Sequence, residues 1–149
     1  MGFRSICLTS VLALSAGSAM AEMNFNRVAS FPVIANMAAG EDTSRESSPE
    51  IIDVTADGMT LVYSDSPFGG IGMIDISAPA NPAPGGYVKL DGEPTSLVVQ
   101  SGHAFVGLNT SESYTNPSGV LLSVNLETRE IEQSCDLGGQ PDSVALSKD

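Results

Sequence analysis

The chain has 149 residues, 42% of them hydrophobic, enough for one ordinary domain with its own core. Six Lys/Arg stand against eighteen Asp/Glu, a formal net charge of −12. That balance argues against nucleic acid, whose phosphates must be met by cations, and against anionic membrane surfaces. The acidity serves solubility in an exported protein, or it recruits hard cations such as calcium, whose ligands are oxygens.

Residues 1–21 (MGFRSICLTSVLALSAGSAMA) carry one cation, Arg4, then a short apolar run, and close on Ala19-Met20-Ala21. This is the pattern of a secretory signal peptide cleaved before Glu22. The run is too short and too rich in hydroxyls to span a bilayer of about 30 Å. No later stretch reads as a membrane span. The expected location is periplasmic or extracellular. Cys7 leaves with the leader, so Cys135 is alone. In an oxidising compartment that cysteine is either buried and inert or paired with one beyond residue 149, and the second is expected.

The remainder, 22–149, reads as all-β. It opens with a single leading strand at 27–33 (RVASFPV), placed like an outermost strand that could clasp a ring. Then comes EDTSRESSPE at 41–50, with four carboxylates, four hydroxyls and Arg45. Two readings apply. One is a solvated loop ordered by Arg45 and its neighbours. The other is a calcium or phosphate-ester site, with Glu41, Asp42 and Glu46 joined by Asp65 as metal ligands and Arg45 as the anion binder. The loop lacks the regular acidic spacing of a dedicated calcium loop.

PEIIDV at 49–54, PTSLVV at 94–99 and PDSVAL at 141–146 recur with a spacing of about 45 residues. Each copy is followed by a turn, and in the first two by three further β-prone runs. These are 59–65, 72–77 and 86–92 in the first unit, then 104–109, 120–126 and 130–137 in the second. Short runs rich in Val, Ile and Leu with turn signals between them indicate strands, and no segment offers the 3.6-residue period of a helix. Four strands per repeat are the unit of a β-propeller. The expected fold is therefore an incomplete β-propeller: two four-stranded antiparallel blades, 49–92 and 93–139, plus flanking single strands. The second of these, at 140–149, would begin a third blade. The apolar hexamers are expected to be innermost strands packed on both faces. Because the last hexamer stops inside its turn, the chain reads as the N-terminal fragment of a longer protein.

Antiparallel order puts the longest, most acidic loops on one rim, with Asp91, Glu93 and Glu112 beside the residues already named. Function on a rigid β scaffold is usually carried by such loops. SPFGGIGMID at 66–75 has Gly-x-Gly spacing, but it opens a strand rather than a helix and reads as a hairpin loop. His103, the sole histidine, lies at a turn on the opposite rim with no nucleophile placed near it. One histidine and one mature cysteine are too few for a zinc site. Asp75 and Asn125, at matching positions, read as turn formers.

The stretches SSPEIIDVTADGMTLVYSD, GIGMIDISAPANPAP and GQPDSVALSKD resemble exported bacterial β-propellers of the YVTN and lactonase-like kind. Within that group the chain is most similar to proteins with esterase-like activity of phytase, often named alkaline phosphatases. The resemblance implies a periplasmic or extracellular propeller that hydrolyses phosphate esters with metal help, with no catalytic residue carried over to a numbered position. The alternatives are a non-catalytic propeller that binds a ligand or protein on the acidic rim, and a structural module of the cell surface. Alone, two blades are expected to be inactive, because they cannot enclose a central pocket.

Overall fold

The computed structural model describes residues 26–148. The signal peptide expected at 1–21 lies outside them. Two four-stranded antiparallel sheets make up the fold. The first runs β1 (Pro49–Val54), β2 (Thr60–Asp65), β3 (Gly70–Asp75) and β4 (Ala83–Lys89). The second runs β5 (Glu93–Gln100), β6 (His103–Asn109), β7 (Gly119–Asn125) and β8 (Ile131–Asp136). In each sheet, spatial order follows chain order. Over the described residues the architecture is all-β and propeller-like, with neighbour-to-neighbour strands in each blade and no closure into a ring.

Alternation explains the core. Side chains along a strand point to opposite faces. Val62, Ile71, Met73 and Val88 of the first sheet form one buried cluster with Leu97, Ala104, Val106, Leu122 and Val124 of the second. The sheets meet through β5, which lies against β1 and β2. A polar tie crosses the same boundary: the Val99 amide donates to Asp53 Oδ2 at 2.7 Å.

Non-strand chain packs against part of each sheet's outer face. Residues expected as a leading strand at 27–33 are not a strand; irregular backbone runs into a short 3-10 helix, Val33–Asn36. Pro32 lacks the amide a ladder would need, and the side chains of Val28 and Phe31 line an apolar groove against Leu61 and Ile74 instead. At the other end, 141–148 also joins no ladder. It nonetheless packs on the second sheet much as β5 packs on the first. Thr95 Oγ1 donates to the Pro141 carbonyl at 3.0 Å, and the Val144 amide donates to Ser96 Oγ at 3.1 Å.

One expectation about the innermost strands needs correction. β5 is largely buried, but β1 is exposed along most of its length, with Ile52 at 57% and Val54 at 42%. Both strands are apolar, but only β5 has a sheet to pack against on its chain-preceding side.

Candidate functional site

The rim beside the first sheet is built on the hairpin between β2 and β3. Gly69, at φ +77°, closes it with its amide donating to the Asp65 carbonyl at 2.8 Å. The Gly-x-Gly spacing that follows has a steric purpose. Gly70 and Gly72 point to the same face of β3, and Gly72 is paired across the sheet with both Tyr63 and Tyr87. A Cβ on Gly72 would collide with the Tyr63 ring, and one on Gly70 would collide with Tyr87. The glycines leave room for two aromatic rings; this is hairpin and strand chemistry, as the sequence indicated.

Those rings anchor a partly polar cluster. Asn36, buried at the end of the 3-10 helix, donates to Tyr63 Oη at 3.0 Å and to the Met73 carbonyl at 2.8 Å. Burial pushes the Tyr63 phenol up, against the Asn36 hydrogen bond that draws it down. Burial raises Tyr87 further, with the Asp65 charge adding to it. Tyr87 Oη is the one buried side-chain polar atom without a partner among the described residues. Its ring meets Phe68 edge-on, with centroids 5.1 Å apart.

Asp65 was expected on the rim as a metal ligand, but it is 1% exposed. Its Oδ1 accepts from the Ser48 amide at 3.0 Å and the Phe68 amide at 3.1 Å, and its Oδ2 accepts from Ser47 Oγ. The carboxylate stitches the acidic loop to the hairpin. Asp42 is exposed and folds its own turn, accepting from the Ser44 amide at 2.9 Å and Ser44 Oγ at 2.6 Å. Those bonds, the hydroxyl's first, hold its carboxyl below the usual range. Glu41 and Glu46 are exposed on the same loop. The four carboxylates expected as a calcium site are thus not brought together, and no group of three or more His, Cys, Asp or Glu able to hold a metal occurs among the described residues. This donor arrangement does not fit calcium, because the one buried carboxylate is already occupied by protein donors.

Arg45 has a more specific environment. Its guanidinium lies 4.7 Å from the centre of the Phe68 ring, and Nη2 donates to the Phe68 carbonyl at 3.5 Å. Lys89 reaches the same place from the end of β4. Its Nζ donates to the same carbonyl and lies 4.9 Å from the same ring. Two cations therefore converge on one oxygen. Neither is within ion-pair distance of a carboxylate among the described residues, where the one pair is His103 with Glu132. Sequence reading missed Lys89. Its signal was the alternation in GYVKLDG, which puts Tyr87 and Lys89 on one face of β4.

Asp75 and Asn125 are turn formers, as expected. Asp75 Oδ1 accepts from the Ser77 amide at 2.8 Å, and Asn125 Oδ1 accepts from the amides of Glu127 at 2.9 Å and Thr128 at 3.1 Å. His103 Nε2 meets Glu132 at 2.9 Å on the opposite rim. Cys135, on β8, is a free and exposed thiol, not a buried one. No helix among the described residues is long and apolar enough to cross a membrane. No protein-family model, curated protein or solved structure matches the chain.

Proposed function

We propose that the chain forms two blades of an exported propeller whose loop rim binds a phosphate-ester ligand between Arg45 and Lys89. The observation that supports this is the convergence of the two cations on the Phe68 carbonyl. Like charges held this close repel each other. In a chain of net charge −12, no carboxylate among the described residues lies within ion-pair distance of either cation, and Asp42 feels Arg45 only from further off. A tetrahedral dianion between the guanidinium and the ammonium would relieve the repulsion with charge-assisted hydrogen bonds. The half-buried Tyr87 ring beside them supplies an apolar backing for an ester group. The carboxylates of the rim do not fit calcium, so the proposal is one of binding, and the metal-assisted hydrolysis implied by the resemblance needs groups other than these.

Calorimetric titration with phenyl phosphate tests it. Binding should be saturable, weaken with salt, and fall by about tenfold or more in Arg45→Ala and in Lys89→Ala, as loss of one charge-assisted contact implies. The titration should be repeated with p-nitrophenyl phosphate, where release of nitrophenol would extend the reading from binding to hydrolysis. Binding that is unchanged in both variants, or absent at low salt, refutes the proposal.

A further inference from the structure

The loop between β6 and β7 builds a second site, separate from the cation pair and on the other sheet. It encloses a recess of about 380 Å³ lined by Glu93, Asn109, Ser111, Glu112, Tyr114 and Gln140, among others. The loop is closed at its neck. The Thr110 amide donates to the Ser118 carbonyl at 3.1 Å, Ser111 Oγ donates to the same carbonyl at 3.1 Å, and the Ser118 amide donates back to Ser111 Oγ at 2.9 Å. At the tip, Ser113 and Asn116 form an isolated antiparallel bridge. The bridged tip holds Tyr114 outward at 101% exposure, with nothing covering its ring.

A fully exposed aromatic on a closed loop, beside a recess lined by acids, amides and hydroxyls, is unusual for a purely structural tyrosine. Tyrosine offers a large rigid face at low conformational cost. Around it, Glu93 Oε2 accepts from Asn109 Nδ2 at 3.1 Å, and Glu112 Oε2 accepts from Asn116 Nδ2 at 3.3 Å. These amide contacts orient the two carboxylates and leave acceptor positions free, since each carboxylate can take about four hydrogen bonds. The two negative charges disfavour an anion, and the polar lining disfavours an apolar ligand. A sugar ring matches both features. Its C–H face can lie on an aromatic ring, and its hydroxyls both donate to carboxylates and accept from amides.

We infer that this recess binds a neutral saccharide, with Tyr114 as the stacking platform and Glu93, Glu112, Asn109 and Gln140 as hydroxyl partners. The chain contains no tryptophan and three tyrosines. Tyr63 is 1% exposed and the Tyr87 hydroxyl is buried, so acrylamide quenching of tyrosine emission reports chiefly on Tyr114. The chain should be titrated with cellotetraose, maltotetraose and tetra-N-acetylchitotetraose while quenching is followed. At least one should protect Tyr114 saturably. In calorimetric titrations, which need no tyrosine at 114, Tyr114→Ala should weaken that sugar by about fivefold to tenfold, the scale of one aromatic stacking contact, without changing the circular dichroism. Tyr114→Phe should keep the affinity within about twofold, because stacking does not need the hydroxyl. Arg45→Ala should leave sugar binding intact, which separates this site from the phosphate-ester reading. No protection by any of the three sugars, affinity retained in Tyr114→Ala, or protection by choline or calcium alone would overturn the inference.

Discussion

Replacing Asp65 by alanine removes the acceptor of three hydrogen bonds, from Ser47 Oγ, the Ser48 amide and the Phe68 amide. Phe68 is 2% exposed, so its amide cannot turn to water. An orphaned buried amide costs about 1–3 kcal/mol. Ser47 and Ser48 are half-buried and can be partly rehydrated, adding about 0.5–1 kcal/mol each. The total is about 3 kcal/mol. At about 3–4 °C per kcal/mol for a domain of this size, Asp65→Ala should melt about 10 °C below the parent. Asp65→Asn keeps one acceptor oxygen for the amides, and its new amide can donate to Ser47 Oγ, so its loss should be about 1 kcal/mol. The assay is thermal unfolding followed by circular dichroism, run with calcium and with a chelator. A buried stitch gives the same deficit in both conditions. A melting temperature within about 1 °C of the parent in Asp65→Ala, or a deficit that appears only when calcium is present, would refute the reasoning.

Other outcomes follow from named contacts. Gly72→Ala places a Cβ against the Tyr63 ring and should cost about 2–3 kcal/mol by overpacking; chemical denaturation of the Gly72→Ala/Tyr63→Leu double variant should show positive coupling between the sites. His103 should titrate above 6.5, raised by its hydrogen bond to the Ser101 carbonyl and then by Glu132, and Glu132→Gln should lower it in an imidazole NMR titration. Because the folded-state pKa of His103 is the higher one, the pair's contribution is complete just below about 6.5 and fades as pH rises through the raised value, and it is lost again in acid as Glu132 protonates; its exposure means that salt should screen it. In the chain 22–149 by itself Cys135 should react fully with Ellman's reagent without denaturant, and a thiol that reacts only after denaturation would contradict its exposed place on β8.

The blades were legible because their signals are local and repeated. Period-two alternation and turn residues fix each strand, and the recurring Pro-headed hexamer fixes the unit. What covers a face is not local, and there the sequence misleads. The apolar hexamer reads alike in β1 and β5, although only β5 is sandwiched. The alternation in RVASFPV looks like a strand, but Pro32 and the open face of the first sheet draw it into an irregular strap. Asp65 shows the same limit at the site. A carboxylate at the end of a strand looks identical in sequence whether it faces a metal on the rim or turns inward to hold two amides. Lys89 was missed for a related reason. It is 44 residues from Arg45 in sequence, and only the pairing of β2, β3 and β4 brings both to Phe68.

Cross-strand NOEs from an isotope-labelled sample test the two-blade arrangement most directly. Neighbour-to-neighbour blades give antiparallel contacts in two separate series, β1-β2-β3-β4 and β5-β6-β7-β8, with pairs such as Val62–Met73 and Val106–Leu122. β5 should show no backbone ladder with β1 or β2, its ties to them running through side chains such as the Asp53 carboxylate that accepts from the Val99 amide. Backbone ladder contacts between β4 and β5, making one continuous sheet, would contradict it.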